Sequence, residues 1–276
     1  MARNPPNSGL VRREKSPAKG RILVGLRPSM SRSVYQHLQQ ARRSGRKLMA
    51  LLIDPDKLDQ PGLQLLVQEA QNGGVDLIFV GGSLLTGDAL HSCLEQVRSR
   101  CSIPVVLFPG SLLQISEAAD ALLFLSLISG RNPDLLIGNQ VIAAPYLKEM
   151  DLEILSTGYM LVESGRPTTA SYMSNSQPIP HNKPEIAACT AMAGEMLGLK
   201  LIYLDGGSGA VHPVSEKMVA QVRASVDLPI IVGGGIRHPE TARSICRAGA
   251  DVVVVGNATE SQPELIPSIA EAIHNG

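Results

Sequence analysis

Eight short, mainly apolar segments recur along the 276-residue chain, and stretches long enough to form helices separate most of them. A strand that is apolar throughout, instead of alternating with polar positions, is buried on both faces, as in a parallel sheet covered by helices. Eight such units in a chain of this length predict an α/β fold, a (β/α)8 TIM barrel. The predicted strands are residues 47–53, 75–80, 103–108, 121–127, 152–162, 199–204, 228–232 and 252–255.

The main structural alternative is an open, doubly wound α/β sheet. Such sheets usually carry a glycine-rich dinucleotide fingerprint in the loop after their first strand. This chain has Asp54-Pro55-Asp56-Lys57 at that place. The closed barrel is therefore the favoured prediction, as a single domain over residues 30–276.

Helix signals fill the intervening stretches. Asp59 is a predicted N-cap, Pro61 suits a first turn, and Gly73 is a predicted stop for the same helix. Further helices are predicted over residues 31–44 and from about residue 86 to residue 98. Residues 1–29 are polar and basic, which predicts a disordered or loosely ordered extension. A transit peptide or a phosphate-binding tail is the alternative for this segment.

The charge balance limits the classes of ligand and partner. Lysine plus arginine and aspartate plus glutamate both number 25, so no general field attracts nucleic acid or an acidic membrane. The sequence has no 18-residue apolar run and no signal-peptide pattern. We therefore expect a cytoplasmic protein with no integral membrane segment and no nucleic-acid partner. The four cysteines lack metal-ligand spacing, and we expect buried, reduced thiols.

Glycine-rich loops follow the last three predicted strands, at residues 203–209, 233–235 and 256–257. Barrel enzymes place their active sites at these strand ends, and loops seven and eight commonly bind phosphate. Glycine lets backbone N–H groups approach an anion closely, and a following helix N-terminus adds positive partial charge. The alternative is that the glycines only form tight turns. Three adjacent loops of this kind favour a phosphate site, to which Ser208 and Asn257 would add side-chain donors.

Two oxygen-bearing side chains follow the first two predicted strands. Asp54 ends the first strand and Ser83 follows the second, so a barrel would bring them to one side of its mouth. Carboxylate and hydroxyl oxygens are ligands that Mg²⁺ prefers, together with water and substrate phosphates. The alternatives are a turn residue before Pro55 and a helix cap. The residues alone leave these two interpretations open.

Other strand ends carry possible acid–base groups. Asp205 lies between an apolar strand and a glycine run, where it could orient substrate hydroxyls or remove a proton, and Tyr203 could add a hydroxyl contact. Ordinary strand packing is the alternative for both. His181 and His212 are interpreted as loop or cap residues. The irregular, proline-rich segment 163–184 is predicted to be a lid or binding loop on the catalytic face.

Together these motifs resemble the geranylgeranylglyceryl phosphate synthase family, which includes bacterial and archaeal phosphoglycerol prenyltransferases. The resemblance extends from about Leu51 to Asn257, and the tyrosine-containing glycine loop is its most specific part. The resemblance implies a barrel with one helix reduced to a loop, which fits the weak segment at residues 109–118. The motifs are Leu52-Ile-Asp-Pro-Asp-Lys57, Phe79-Val-Gly-Gly-Ser83, Phe108-Pro109, Ser129-Gly-Arg-Asn-Pro133, Gly158-Tyr159, Tyr203-Leu-Asp-Gly-Gly-Ser-Gly-Ala210, Val232-Gly-Gly-Gly-Ile-Arg237 and Val255-Gly-Asn257.

The resemblance also implies a site and a reaction. Asp54 and Ser83 would bind Mg²⁺, and with the reaction so implied we interpret Tyr203 and Asp205 as the catalytic residues. The enzyme would join the 3-hydroxyl of sn-glycerol 1-phosphate to a polyprenyl (geranylgeranyl) diphosphate through an ether bond, releasing diphosphate, in ether-lipid biosynthesis. A homo-oligomer is a further implication. The implied substrate-binding residues are Tyr203, Leu204, Asp205, Gly206, Gly207, Ser208, Gly209, Gly234, Gly235, Gly256 and Asn257.

Two alternative functions share the phosphate loops. A sugar-phosphate isomerase, epimerase or aldolase needs a second catalytic acid or a Schiff-base lysine at a strand end. Lys47 and Lys200 lie at strand beginnings, which disfavours that function. A catalytically silent phosphate-ligand binder could dispense with the metal-site residues, yet Asp54 and Ser83 are both present.

Overall fold

Eight parallel strands, each hydrogen-bonded to the next along the chain, form a ring that closes where the first strand pairs with the eighth. This computed structural model describes residues 33–85, 87 and 89–276, and residues Ser33–Gly276 form one unit. The closed ring confirms the predicted barrel. The strands are β1 Leu48–Ile53, β2 Leu77–Val80, β3 Val105–Leu107, β4 Ala121–Leu127, β5 Glu153–Leu161, β6 Leu201–Asp205, β7 Ile230–Gly233 and β8 Val252–Val255.

Helices surround the ring, and in the part of the chain that the structure describes none is long and apolar enough to cross a membrane. The predicted extension at residues 1–29 lies outside the described residues, and the domain boundary at residue 30 stays a prediction. The helices are α1 Val34–Ser44, α2 Gln60–Asn72, α3 Leu90–Arg100, a π-helix Asp134–Gly138 that leads into α4 Asn139–Leu147, α5 Thr169–Ser174, α6 Pro184–Met196, α7 Glu216–Arg223, α8 Pro239–Ala248, α9 Asn257–Ser261, a 3-10 turn Pro263–Leu265 and α10 Ile266–His274.

The sequence signals for α2 are confirmed. The Asp59 side chain accepts a hydrogen bond from the Gly62 N–H, Pro61 lies in the first turn, and Gly73 follows the last residue. The third helix was predicted from about residue 86 but begins at Leu90, without a side-chain cap. Leu90 is buried in the core, so the helix begins where its apolar face meets the barrel.

Apolar side chains divide into an inner and an outer core, because successive side chains of a strand point to opposite faces. In β1, Leu48 and Ala50 belong to the inner core, whereas Met49 and Leu51 pack outward against the helices. Helix α1 contributes Val34, Leu38 and Ala41 to the inner core and so covers the end of the barrel where the strands begin. The opposite end is left open for a site.

Cysteine burial was predicted correctly at three of four positions. Burial raises the pKa of the Cys93 and Cys246 thiols to about 12, and Cys101 is also buried. Cys189 is exposed on α6, so the prediction is wrong there. The helical pattern of α6 is too uniformly apolar to show which face meets the barrel.

The connection between β3 and β4 contains no helix among its residues, all of which the structure describes. Gln114 lies in this connection and is buried, with only 3% of its surface exposed. Its amide oxygen accepts hydrogen bonds from the Gly110 N–H at 3.1 Å and the Gly82 N–H at 3.3 Å, and its amide nitrogen donates to the Gly82 carbonyl at 2.9 Å. The implied reduced helix is confirmed, and it leaves a gap in the helical ring.

The segment at residues 163–184 is not irregular throughout. Thr168 caps α5 through a reciprocal capping box with Ser171, and Val162 forms a parallel bridge with Ile179. The prediction of a structureless loop is therefore wrong over Thr169–Ser174. The serine and threonine residues that indicated a loop instead satisfy the helix N-terminus.

Carboxylates preceding three even-numbered strands hold the register at the closed end. Asp76, Asp120 and Asp251 accept hydrogen bonds from the N–H groups of Met49, Val105 and Ile230 at 2.9, 2.7 and 2.8 Å. Each bond ties an even-numbered strand to the start of the odd-numbered strand before it. A one-residue slip would exchange the inner and outer cores, so these bonds also protect the orientation of the site residues.

We expect Asp251→Ala to lower the free energy of unfolding by about 3 kcal/mol, because it leaves the Ile230 N–H and the Arg223 guanidinium, 3.0 Å from Asp251, without their carboxylate. Urea denaturation measures the change. Asp227→Ala is the control, since that side chain is 99% exposed and pairs only at the surface with Arg42, and about 0.5 kcal/mol is expected. Equal losses in both variants would contradict the assigned role of Asp251.

Candidate active site

A cavity of about 470 Å³ opens at the carboxyl ends of the strands. Asp54 and Ser83 from the first two strand ends line it, as do Tyr203 and Asp205 of β6. The barrel thus brings the predicted metal and catalytic residues to one mouth with most of the predicted substrate-binding residues, whereas Leu204 and Gly206 do not line the cavity. The loop residues that line the cavity are Gly207, Ser208, Gly209, Gly234, Gly235, Gly256 and Asn257.

Asp205 is the most closely held carboxylate of the mouth. It ends β6 and is buried, and its two oxygens accept a 2.6 Å hydrogen bond from the Tyr159 hydroxyl and a 2.7 Å bond from the Gly207 N–H. Burial raises the pKa of Asp205, whereas these two hydrogen bonds oppose the rise. A carboxylate of this kind is oriented and is a stronger base than an exposed aspartate.

Tyr159 belongs to the Gly158-Tyr159 motif, and the sequence did not predict that it is the side-chain partner of Asp205. Burial and the adjacent Asp205 charge raise the pKa of Tyr159, which keeps its hydroxyl a hydrogen-bond donor. The sequence carried no local signal for this contact, which depends on the pairing of β5 with β6, in which Tyr159 lies opposite Tyr203. That register exists only once the barrel has closed.

Tyr203 belongs to the aromatic floor of the site. Its ring stacks on Phe108 with centroids 5.1 Å apart and meets Tyr159 edge-on at 5.5 Å. A Cβ atom on Gly233 would lie 2.7 Å from the Tyr203 hydroxyl oxygen, so glycine is needed there to accommodate the ring. Tyr203 therefore lines the cavity, while Tyr159 makes the contact to Asp205, and the catalytic role of Tyr203 stays a prediction.

The sixth and seventh loops fit together without room for side chains. Gly234 has a φ of 84°, and a Cβ atom there would lie 2.8 Å from the Gly206 Cα and 2.7 Å from the Gly207 nitrogen. The Gly206 N–H donates to the Gly233 carbonyl at 3.0 Å, which joins the two loops. Leu204 packs its side chain in the outer core, so any substrate contact from it would use the main chain.

Lys57 joins the first loop to the eighth. Its ammonium nitrogen lies 3.1 Å from an Asp54 carboxylate oxygen, 3.1 Å from the Asn257 amide oxygen and 3.6 Å from a Glu260 carboxylate oxygen. Glu260 also accepts a 3.1 Å hydrogen bond from the Asp54 N–H. Burial raises the pKa of Glu260, and the neighbouring Lys57 charge opposes this. Lys57 and Glu260 were missed as site residues because some 200 positions separate them in the sequence.

Asp54 and Ser83 both line the cavity, and they carry oxygen ligands of the kind that a magnesium ion prefers. Both carboxylate oxygens lie 3.3 Å from the position that a Cβ atom on Gly82 would take, next to the partly buried Ser83. Over residues 33–85, 87 and 89–276, no group of three or more His, Cys, Asp and Glu side chains could hold a metal ion. A cation bound here would therefore share one carboxylate and one hydroxyl with water and substrate oxygens, as Mg²⁺ commonly does.

The remaining polar candidates lie elsewhere or support the loops. His181 and His212 line a separate pocket, so the structure does not bring them to the mouth. Arg237 lines the cavity and donates hydrogen bonds to the Ala210 and Val211 carbonyls at 2.6 and 3.3 Å. Lys47 and Lys200 lie at the strand beginnings, as predicted, and contact Asp251 and the Ile154 carbonyl there.

An apolar arm of the cavity extends through the gap in the helical ring. Leu122 and Phe124 pack with the outer core, on the face of β4 that a helix would otherwise cover. No local pattern predicted this arm, because separate parts of the chain contribute its walls. Other apolar residues that line the cavity include Leu112, Leu113, Ile115, Leu135, Ala143 and Leu147.

Comparisons with known proteins agree with these features. The chain is 51% identical over 245 residues to the geranylgeranylglyceryl phosphate synthase of Chitinophaga pinensis, covering 89% of this chain and 97% of that protein. It is 54% identical over 236 residues to the protein of that name from Spirosoma linguale, covering 86% and 95%.

A solved structure gives the same result. The crystal structure of (S)-3-O-geranylgeranylglyceryl phosphate synthase from Thermoplasma acidophilum, in complex with its substrate sn-glycerol-1-phosphate, matches with a TM-score of 0.84 and 32% identity. The match covers 89% of this chain and 100% of that one. The PcrB family model matches residues 42–273. The chain therefore belongs to the PcrB family, as its geranylgeranylglyceryl phosphate synthase motifs predicted.

Proposed function

We propose that this protein is a Mg²⁺-dependent geranylgeranylglyceryl phosphate synthase. It joins the 3-hydroxyl of sn-glycerol 1-phosphate to the first carbon of geranylgeranyl diphosphate and releases diphosphate. The observation that carries the proposal is one continuous cavity with a glycine-lined polar end and an apolar arm. A polar phosphate ester and a long hydrocarbon can occupy such a cavity together, with their reacting ends at the junction. The relatives named above support the same substrates.

Asp205 orients the acceptor. The loops after β6, β7 and β8 hold the phosphate of sn-glycerol 1-phosphate, which leaves its 3-hydroxyl free to reach the Asp205 carboxylate. The hydroxyl oxygen forms the new bond to the allylic carbon while the bond from that carbon to the diphosphate oxygen breaks. Asp205 accepts the hydroxyl proton, and Tyr159 holds the carboxylate in place through its 2.6 Å hydrogen bond. Fixed positions for both reactants supply much of the rate enhancement.

Asp54 and Ser83 are proposed to hold Mg²⁺ at the donor end. Held there, a magnesium ion would supply positive charge to offset the negative charge that develops on the departing diphosphate. The apolar arm receives the prenyl chain and keeps water from the allylic carbon. Hydrolysis of the donor, which would compete with ether formation, is thereby reduced.

The alternative functions do not account for the apolar arm. A sugar-phosphate isomerase, epimerase or aldolase acts on small polar substrates, which would not fill an apolar arm lined by Leu122 and Phe124. A silent phosphate binder has no need of the buried Tyr159–Asp205 pair. An assay for prenyl transfer distinguishes both functions from the proposed one.

The homo-oligomer stays a prediction, and it has support from one surface. The π-helix and α4 expose Ile137, Val141, Ile142 and Tyr146, each with more than half of its surface accessible. Exposed apolar side chains grouped in this way commonly mark a protein–protein contact. A second copy of the chain would bury them.

The decisive assay measures transfer of label from sn-glycerol 1-phosphate into an organic-extractable product with geranylgeranyl diphosphate and Mg²⁺. We expect product with sn-glycerol 1-phosphate and little with sn-glycerol 3-phosphate, because the clamped phosphate and Asp205 fix the position of one hydroxyl. Absence of product with any prenyl donor would favour the alternative functions.

We expect Asp54→Asn to lower kcat by roughly 100-fold or more at a Mg²⁺ concentration of about 1 mM, since the neutral amide is a poor Mg²⁺ ligand. Steady-state kinetics over a Mg²⁺ series measures this, with thermal unfolding to verify the fold. Asp59→Asn is the matched control, because asparagine caps α2 as well as aspartate does. Activity unchanged by Asp54→Asn would remove Asp54 from the metal site.

We expect Tyr159→Phe to move the acid limb of the kcat/KM profile to higher pH. The Tyr159 hydrogen bond lowers the pKa of Asp205, so its loss raises that pKa, and a higher pH is needed to ionise the carboxylate. Tyr35→Phe, on α1 at the closed end, controls for loss of a tyrosine hydroxyl. An acid limb that does not move would mean that another group governs it.

A further inference from the structure

Lys57 lies between two parts of the site that the proposed function assigns to different substrates. Its ammonium nitrogen is 3.1 Å from Asp54, at the proposed donor diphosphate end, and 3.1 Å from Asn257, in the proposed acceptor phosphate loop. The side chain is about two-fifths exposed, at 41%, so it can reach a ligand in the cavity that it lines. One cation thus borders both anion positions.

Glu260 holds this arrangement together. Its side chain is only 8% exposed, and its two carboxylate oxygens contact the Asp54 N–H at 3.1 Å and the Lys57 ammonium at 3.6 Å. The contacts connect the end of β1 with the loop after β8. Glu260 is therefore a positioning residue, which keeps Lys57 at the boundary between the two loops.

A cation at this boundary, in addition to the proposed Mg²⁺, would lower the repulsion between the two substrates. Ether formation brings a phosphate monoester and a diphosphate into one water-poor cavity, where like charges repel more strongly than in water. Of the described residues that line the cavity, two are cationic, Lys57 and Arg237. Arg237 donates to the Ala210 and Val211 carbonyls, and the Arg166 guanidinium lies next to Gly209, so both arginines are at the acceptor phosphate loops. Lys57 differs from them because it contacts Asp54 as well as Asn257 and so borders both anion positions.

We infer that Lys57 is a shared ligand of the two substrates: its ammonium contacts both the phosphate of sn-glycerol 1-phosphate and the diphosphate of the donor. This inference rests on the proposed function. Lys57 is held by Asp54, Asn257 and Glu260 before the substrates arrive. With both anions present, it screens one from the other, so that either can bind in the presence of its partner.

The experiment measures binding without turnover. Calorimetry gives the Kd of sn-glycerol 1-phosphate for the full chain with Mg²⁺, in the absence and presence of saturating inorganic diphosphate. In the wild type, diphosphate should leave this Kd nearly unchanged. In Lys57→Met, diphosphate should raise it about tenfold, within the usual range for coupling between two sites. Lys57→Arg should restore the wild-type result, because it keeps the charge.

Two further variants complete the test. Lys57→Gln removes the charge but keeps a hydrogen-bonding group, and it replaces Lys57→Met if that variant does not fold. Lys217→Met, on the exposed face of α7, should behave as the wild type. Equal effects of diphosphate in the wild type and in both neutral variants would overturn the inference. Weaker sn-glycerol 1-phosphate binding in the neutral variants that does not depend on diphosphate would also overturn it. So would a wild type that does not bind diphosphate. Failure of the proposed function would differ, since the wild type would then make no prenylated product.

Discussion

The pairing of β1 with β8 is the interaction on which the site depends, because it closes the sheet and makes every second strand residue face a common axis. Asp54, Ser83 and Asp205 each continue the inward-facing series of their strands, after Leu52, Gly81 and Tyr203. The carboxylates at the closed end hold the same register. The alternation of side chains along the strands therefore determines both the packing of the core and the geometry of the site.

The connection between β3 and β4 lacks a helix, and this local loss of packing creates a binding surface. Elsewhere helices cover the outward side chains of the strands, whereas Leu122 and Phe124 of β4 border the cavity. The buried Gln114 stabilises this connection, because its three hydrogen bonds satisfy backbone groups of Gly110 and of Gly82 in the loop after β2. The apolar arm meets the polar loops at the mouth, where the reacting ends of the two substrates belong.

Two polar networks meet the cavity from different sides, and they differ in accessibility. The Tyr159–Asp205 pair is buried among aromatic rings, which fixes its geometry and raises the pKa of the carboxyl group. The Lys57 network is partly exposed and can exchange its contacts for those of a ligand. A buried group for proton transfer and a partly exposed cation for phosphate suit the two ends of one ether-forming reaction.

The sequence by itself determined the barrel, the rim position of Asp54, Ser83 and Asp205, and the three glycine loops, because continuous apolar runs and strand-end residues are local patterns. Only the tertiary structure decided the partners across the site. Tyr159 meets Asp205 over 46 positions and Lys57 meets Asn257 over 200, and each contact depends on strand register and ring closure. The same holds for the apolar arm and for α5, where packing and capping overrode a composition typical of loops. Local patterns specify which face a residue takes, whereas its neighbours on that face are set by how the whole ring closes.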